Sequence, residues 1–272
     1  MFERSNTRHS IFRSPGPHTD DATVEPVGRE QEIKQIADAV RPVVYRNGRG
    51  VVLICGKPGT GKTTCVKQVL RKLEGETSVK PVYINCWQYN TRPSLLNQLL
   101  IELGYPVPRK GKPVDELFLL VQEWIRKNRS IVVSLDEFDQ LRDQTEVVYD
   151  LYQLNQESEN NVGLLLLSNK PPSEIQLDPR SESRLNYRTI TFSPYQKGEL
   201  VDILEHYAGR IFHRDAVSND VLSLIADHIV DRYRGDCRLA IETLHQAGQI
   251  ADGEDRSTIT PSHVETLVQS ED

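Results

Sequence analysis

The sequence has no long apolar run. None of its hydrophobic stretches reaches the ~18 consecutive apolar residues that a membrane-spanning helix needs. The start of the chain, from Met1 to His18, contains arginines but no apolar core of the kind that a secretory signal carries. With 38% hydrophobic and 26% charged residues, the composition is typical of a globular protein. We therefore expect a cytoplasmic protein that does not bind membranes.

Cysteine is scarce, with four residues in 272. None of the four has the close paired spacing that is typical of metal sites, and all fall in predicted strands or at predicted helix starts. This pattern fits reduced, buried thiols better than a disulfide framework. We expect no chemical role for Cys55, Cys65, Cys86 and Cys237.

Positive charge is not in excess either, because the net charge is −6. Any binding to nucleic acid must therefore depend on a local basic patch. Two clusters of basic residues are present, although a frayed terminus and a solvated loop are the more ordinary explanations for them. They are Arg4, Arg8 and Arg13, and Arg109, Lys110 and Lys112.

The order of hydrophobic patterns predicts two lobes. Five short apolar runs alternate with segments of helical spacing, which indicates an α/β fold: a parallel sheet with helices on both faces. The runs are residues 51–55, 82–85, 131–135, 162–167 and 189–192. After Pro194 only helical periodicities remain, so we expect an all-helical second domain over residues 195–272. Residues 1–26 lack sustained periodicity and are interpreted as an arm, loosely ordered or laid across a surface, with the fold beginning near Val27.

The most specific motif is Gly-Lys-Pro-Gly-Thr-Gly-Lys-Thr at residues 56–63. It follows an apolar run and precedes helical spacing, which is the strand, loop and helix order of a phosphate-binding loop. The glycines let backbone N–H groups face phosphates, Lys62 supplies positive charge, and the Thr63 hydroxyl can ligate Mg²⁺. A chance glycine-rich turn would not explain both flanks. The motif therefore predicts a nucleoside triphosphate site.

Two acids, Asp136 and Glu137, follow the third apolar run. We expect Asp136 to hold Mg²⁺, usually through a water, and Glu137 to polarise the water that attacks the γ-phosphate. Taken alone, two acids could merely begin a loop. Combined with the glycine-rich loop, they predict the second half of the nucleotide site.

Polar residues after the later elements extend the predicted site. Asn169 follows the fourth apolar run, at the edge where open α/β sheets bind ligands, and its amide can position the attacking water. Arg180 and Arg184 lie four residues apart, so on a helix they share one face that could reach a neighbouring subunit's nucleotide, or they are two solvated surface arginines. Asp236 is a predicted N-cap of a helix whose first turn carries Arg238. Because arginine there opposes the helix dipole, we expect Arg238 to have an anionic partner.

Several short segments together carry a family resemblance. They are residues 27–33 (Val-Gly-Arg-Glu-Gln-Glu-Ile), 83–86 (Tyr-Ile-Asn-Cys), 135–139 (Leu-Asp-Glu-Phe-Asp), 168–169 (Ser-Asn), 177–180 (Leu-Asp-Pro-Arg), 192–195 (Phe-Ser-Pro-Tyr) and 235–241 (Gly-Asp-Cys-Arg-Leu-Ala-Ile). With these segments in this order, the sequence resembles an AAA+ ATPase of the archaeal origin-recognition and cell-division-control initiator type, over residues 12–268. The resemblance implies a RecA-like base domain over residues 27–194 and a helical lid over residues 195–272.

The resemblance also implies roles for individual residues. Asn169 takes the sensor-1 position, Arg238 the sensor-2 position, and Arg180 the arginine-finger position, with Arg184 as a second candidate. Asn85 matches the polar residue that restrains the catalytic glutamate in relatives, and residues 27–33 match the segment that packs on adenine. The predicted nucleotide-binding set is Val27, Gly28, Arg29, Gly56, Lys57, Pro58, Gly59, Thr60, Gly61, Lys62, Thr63, Thr64, Asp136 and Tyr195.

The insertion at residues 91–104 matches the initiator-specific helix that presses on DNA in the family. This match makes nearby basic residues candidate phosphate contacts: Arg92, Arg109, Lys110 and Lys112. Two features depart from the family pattern. The chain ends at Asp272 after the lid, so we expect no winged-helix domain and weak DNA binding. Residues 181–183 differ from the usual finger sequence, which leaves the choice between Arg180 and Arg184 open.

The sequence thus predicts an ATP-binding, slowly hydrolysing switch of DNA replication initiation that uses ATP or ADP with Mg²⁺. Expected partners are DNA, a replicative helicase, other initiator subunits and, with ATP, further copies of the chain, near the nucleoid. One alternative is a regulator of a full-length initiator that does not bind DNA itself. Another is a clamp-loading or transposition ATPase of the same superfamily.

Overall fold

The computed structural model describes residues 10–13, 26–45, 48, 50–106, 111–127, 130–157, 161–175, 177–179, 183 and 186–269. The chain divides into two compact units, here called the sheet unit and the helical unit, and only their described residues are discussed below. The sheet unit comprises Arg29–Lys57 and Lys62–Phe192. The helical unit comprises Ser193–Asp272 together with Pro58–Gly61 and Met1–Gly28. Within the described ranges, no helix is both long and apolar enough to cross a bilayer.

Five parallel strands form the centre of the sheet unit, in the order β2-β3-β4-β1-β5. They are β1 (Val51–Gly56), β2 (Lys80–Asn85), β3 (Ile131–Asp136), β4 (Val162–Ser168) and β5 (Arg188–Phe192). Each of the five apolar runs in the sequence became a strand, so the predicted α/β fold is confirmed. Every residue of β3 and β4 is buried, as expected for strands covered on both faces.

Helices cover both faces of this sheet. They are α1 (Glu30–Val44), α2 (Lys62–Glu76), α3 (Arg92–Glu102), α4 (Val114–Lys127) and α5 (Gln144–Glu157). One core cluster contains the buried side chains of α1 and α2, and a second contains those of α3, α4 and α5. On α3, the side chains of Leu95, Leu96, Leu99 and Leu100 are all fully buried.

Strand order brings the predicted site segments to one edge of the sheet. β4 lies between β1 and β3, with Cys55 paired to Ser168 and Leu135 paired to Leu166. The carboxyl ends of these three parallel strands therefore lie side by side. Ligands bind at such an edge in open α/β sheets. The glycine-rich loop, the two acids and Asn169 each lie at one of these strand ends or directly after it.

Four helices make up most of the helical unit, and they match the helical periodicities predicted after Pro194. They are α6 (Lys197–Ile211), α7 (Asn219–Tyr233), α8 (Cys237–Gly253) and α9 (Pro261–Gln269). Their inward-facing side chains share one hydrophobic core.

Ile11 and Phe12 of the predicted arm pack in this core. Ile11 is 2% exposed, its N–H donates to Asp252 Oδ1 at 2.9 Å, and its carbonyl accepts from the N–H of His213 at 3.1 Å. The Phe12 ring lies 4.9 Å from the Phe212 ring, centre to centre. Although the fold was expected to begin near Val27, residues 10–13 lie across the helical unit, because the side chains of Ile11 and Phe12 anchor them there.

Ile11→Ala should destabilise the protein by about 2–5 kcal/mol, the usual effect of removing a buried aliphatic side chain. Arg13→Ala is the matched control, since its exposed side chain should contribute less than about 0.5 kcal/mol. Urea unfolding followed by circular dichroism measures both changes. Equal stabilities for the two variants would show that the arm does not contribute to the fold.

All four cysteines are free thiols, and three are buried. Burial raises the pKa of Cys55 to about 11 and that of Cys65 to about 12. Burial also raises the pKa of Cys86. These thiols stay protonated near neutral pH, so they are poor nucleophiles, as the sequence led us to expect.

Candidate functional site

The Lys62 ammonium lies between the ends of β1 and β4. Its Nζ donates to the carbonyl of Gly56 at 2.6 Å, the carbonyl of Lys57 at 2.9 Å, and Oδ1 of Asn169 at 3.0 Å. Lys62 is only 6% exposed, and these three oxygen atoms hold its ammonium group in place. The contact between Lys62 and Asn169 joins two predicted site residues that are 107 positions apart in sequence.

Thr63 and Asp136 form the second contact of the site. The Thr63 hydroxyl donates to Oδ2 of Asp136 at 2.7 Å, and Asp136 is 5% exposed. Both residues were predicted to hold Mg²⁺. A hydroxyl and a carboxylate are the hard oxygen ligands that this ion prefers, so the donor set fits the ion.

The backbone is strained next to this pair. Glu137 has φ of 54° and ψ of 42°, the left-handed conformation that costs a residue with a side chain about 1–3 kcal/mol. Its N–H donates to Oδ1 of Asp136 at 2.8 Å, and its carbonyl accepts from the N–H of Gln140 at 2.8 Å. These bonds hold the sharp turn at the end of β3.

Asn169 is held in place through its backbone N–H as well as through the contact of its side chain with Lys62. Its N–H donates to Oδ1 of Asp139 at 3.0 Å. Asp139 therefore links the segment after β3 to the segment after β4 and fixes where the Asn169 amide lies.

The segment that resembles an adenine-packing element divides between the two units. In the sheet unit, Arg29 is 4% exposed, pairs with Glu32 at 3.0 Å, and lies 5.6 Å from the centre of the Phe192 ring. In the helical unit, Gly28 has φ of +72°. Arg29 thus anchors the start of α1, and this structural role is additional to its predicted contact with nucleotide.

The tip of the glycine-rich loop groups with the helical unit. Gly59 has φ of +73°, and its carbonyl accepts from the N–H of Cys237 at 3.1 Å. A Cβ added to Gly59 would lie 1.8 Å from Oδ1 of Asp236. Glycine is therefore favoured at position 59 for two reasons. It adopts a positive φ without strain, and its lack of a Cβ leaves room for the Asp236 side chain.

Asp236 caps α8, as predicted, because its side chain accepts from the N–H of Arg238 at 2.9 Å. The Arg238 side chain also pairs with Asp236, with 3.2 Å between Nη2 and Oδ2. Asp236 is thus one anionic partner of Arg238 in this structure, and the predicted contact of Arg238 with nucleotide stays a prediction. The preceding Gly235 has φ of +74°, and its backbone packs so tightly on Tyr195 that an added Cβ would lie 2.2 Å from the Tyr195 carbonyl oxygen.

The remaining predicted nucleotide contacts have different exposures. Lys57 and Pro58 are exposed, Thr60 is 1% exposed, and Thr64 is intermediate. Four predicted residues lie outside the described residues: Arg109, Lys110, Arg180 and Arg184.

The two other candidate DNA contacts are engaged in ion pairs. Arg92 makes a two-pronged contact with Asp150, with Nε to Oδ2 at 2.7 Å and Nη2 to Oδ1 at 2.8 Å. The Lys112 ammonium donates to Glu116. Their predicted contacts with phosphate remain predictions, but in this structure Arg92 connects α3 to α5.

Two residues of the site were not predicted from the sequence. Asp139 orients Asn169, and Tyr83 donates its hydroxyl to Oδ2 of Asp136 at 2.6 Å. The sequence did contain a signal for both, since they belong to the segments 135–139 and 83–86 that carry the family resemblance.

Comparison with known proteins identifies both units. Residues 45–171 match the AAA domain family, and residues 201–268 match the Cdc6 AAA+ ATPase-type lid domain. An ORC1-type DNA replication protein 1 of Sulfurisphaera tokodaii is 33% identical over 96% of this chain and 67% of its own length. Other archaeal ORC1-type relatives are longer, and the chain spans 62–66% of their length.

Solved structures agree with these matches. Cdc6p from Pyrobaculum aerophilum has a TM-score of 0.84 and 25% identity, over 93% of this chain and 69% of that one. The Aeropyrum pernix ORC1 protein, solved in complex with DNA, has a TM-score of 0.82 and 29% identity, over 93% of this chain and 67% of that one. With a parallel sheet, a glycine-rich loop and a Cdc6-type lid as well, the chain belongs to the archaeal ORC1/Cdc6 family of AAA+ ATPases.

Proposed function

We propose that this chain binds ATP with Mg²⁺, hydrolyses it slowly, and acts as a nucleotide-dependent switch in DNA replication initiation. The observation that carries the proposal is the contact of Lys62 with the ends of β1 and β4, beside the Thr63–Asp136 pair. A buried ammonium and a carboxylate at the edge of a parallel sheet are suited to binding a phosphate chain and its cation. Family membership supports the same function.

In this proposal Lys62 and the backbone N–H groups of the glycine-rich loop bind the phosphates. Thr63 and Asp136 would hold Mg²⁺, which would neutralise phosphate charge when bound. The base domain would comprise residues 27–194 and the lid residues 195–272, with Arg238 contacting nucleotide from the lid.

Hydrolysis then needs a positioned water. Glu137 would accept the proton of that water while the water oxygen bonds to the γ-phosphorus, and the bond from phosphorus to the bridging oxygen breaks to leave ADP. The Asn169 amide would orient the water. Slow turnover is expected because the finger arginine, Arg180 or Arg184, would come from a neighbouring copy of the chain.

The proposed partners are DNA, other initiator subunits, a replicative helicase and, in the ATP state, further copies of this chain, all at the nucleoid in the cytoplasm. The DNA complex of the Aeropyrum pernix relative supports the first of these. With a net charge of −6, DNA binding should be weak and depend on salt.

One observation favours the alternative function of a regulator that acts on a full-length initiator without binding DNA. Arg92 and Lys112, two of the four candidate DNA contacts, are paired with carboxylates of the same chain. Breaking the pair of Arg92 with buried Asp150 to bind a phosphate would be costly.

Fluorescence anisotropy of a labelled DNA duplex separates the two functions. The protein would be titrated with ATP, with ADP and without nucleotide, each at two salt concentrations. We expect binding that is tightest with ATP and weaker at higher salt. Lys62→Ala should bind DNA equally in all three conditions, since it cannot respond to nucleotide.

Two results would change this conclusion. If ATP binds but DNA does not bind in any nucleotide state, the alternative of a partner-directed regulator replaces the DNA-binding switch. If the wild-type protein does not bind ATP at all, the switch function is lost in both forms.

A further inference from the structure

The Asp136 carboxylate accepts three hydrogen bonds, and one of them comes from a residue without an assigned role. Oδ1 accepts from the N–H of Glu137, and Oδ2 accepts from the hydroxyls of Thr63 and Tyr83. The Tyr83 contact, at 2.6 Å, is the shortest of the three. It links β2, an edge strand of the sheet, to the end of β3.

The Tyr83 ring is held in place by its own neighbours. It packs against the core cluster formed with α1 and α2, and the Lys67 ammonium lies 4.9 Å from the ring centre. Lys67 follows Thr63 by four residues on α2, so both side chains lie on one face of the helix. One helix face therefore contacts Asp136 directly through Thr63 and supports Tyr83 through Lys67.

We infer that Tyr83 is a positioning residue for Asp136, an inference that rests on the proposed function. A carboxylate rotates easily about its last torsion angle. The Tyr83 and Thr63 hydroxyls on Oδ2 and the backbone N–H on Oδ1 restrict that rotation. Fixing the carboxylate plane in this way prepares Asp136 for a divalent cation before the cation arrives.

The chemistry of the donor matters for this role. A tyrosine hydroxyl is neutral, so it orients the carboxylate without cancelling its charge. Lysine or arginine at the same place would form an ion pair with Asp136 and compete with the cation. Tyrosine thus combines a rigid ring, partly buried against the core cluster of α1 and α2, with a donor that leaves the negative charge of Asp136 available.

The test replaces Tyr83 with phenylalanine, which keeps the ring and removes only the hydroxyl. Mn²⁺ binding to the protein–ADP complex would be followed by electron paramagnetic resonance, and ADP binding in EDTA by fluorescence titration. We expect Tyr83→Phe to weaken Mn²⁺ binding about tenfold, as loss of an outer-shell partner usually does. ADP affinity in EDTA and the thermal midpoint should stay within the range of wild type.

Tyr207→Phe in the helical unit is the matched control and should leave Mn²⁺ binding unchanged. If wild type binds ADP and Mn²⁺ but Tyr83→Phe has the same Mn²⁺ affinity, the positioning role is wrong while the proposed function stands. If Tyr83→Phe weakens ADP binding in EDTA as much as it weakens Mn²⁺ binding, the hydroxyl has a general structural role and the inference also fails. If wild type does not bind ADP, both the inference and the proposed function are lost.

Discussion

Lys62→Ala should lower the affinity for ATP by about 100-fold or more. Two charge-assisted hydrogen bonds to phosphate, at about 1.5–3 kcal/mol each, would be lost with the ammonium, and each 1.4 kcal/mol is a tenfold change. The buried position of Lys62 strengthens the effect, because little water is present to screen the phosphate charge. Titration with a fluorescent ATP analogue measures the change directly.

Thermal unfolding gives a second readout. With ATP at 100 times its dissociation constant, wild type should gain about 2.7 kcal/mol of stability, and Lys62→Ala should gain almost none. Lys72→Ala is the matched control, because it removes the same charge from an exposed position on the same helix. If Lys62→Ala and Lys72→Ala bind ATP equally well, the glycine-rich loop is not the nucleotide site.

Much of the fold could be predicted from the sequence, because the strands are buried on both faces. Strands of this kind are continuous apolar runs, and the run at residues 162–167 is almost wholly aliphatic. The position of the site also followed from the sequence. Parallel strands end at a common edge, so the polar residues after β1, β3 and β4 had to come together there.

The contacts between distant side chains could not be predicted in the same way. Arg92 looked like a surface residue of a basic insertion, but it pairs with Asp150, 58 positions later in the sequence. Ile11 lies in a segment without periodicity, so only its tertiary contacts reveal that it is part of a core. Tyr83 alternates with buried residues on β2, and this pattern shows the face of the sheet but not the hydrogen-bond partner.

Arg92→Ala should destabilise the protein by about 3–5 kcal/mol, because it leaves the Asp150 carboxylate buried without a counter-charge. Asp150 is 2% exposed and its two oxygens accept from the same guanidinium. Urea unfolding at neutral pH measures the loss. Lys197→Ala is the matched control, since its pair with Asp227 is about half exposed and should contribute no more than about 1 kcal/mol.

The pH dependence of this loss tests its electrostatic cause. Burial raises the pKa of Asp150 above its ordinary value, while the hydrogen bond and charge of Arg92 lower it. Removing Arg92 should therefore raise the pKa of Asp150 further in the folded state. A folded carboxyl with a raised pKa binds more protons than the unfolded one, so stability rises as pH falls through the folded pKa.

The difference in unfolding free energy between wild type and Arg92→Ala should consequently become smaller as the pH falls below neutral, because Asp150 becomes protonated in the variant. Arg92→Ala combined with Asp150→Asn has no buried charge, so its gap to wild type should not change over the same range. If the gap for Arg92→Ala alone is constant with pH, the loss comes from packing of the arginine side chain between α3 and α5. In that case Arg92 would stabilise the fold through its aliphatic stem. A DNA phosphate could then replace Asp150 as the ion-pair partner of the Arg92 guanidinium at little cost in free energy.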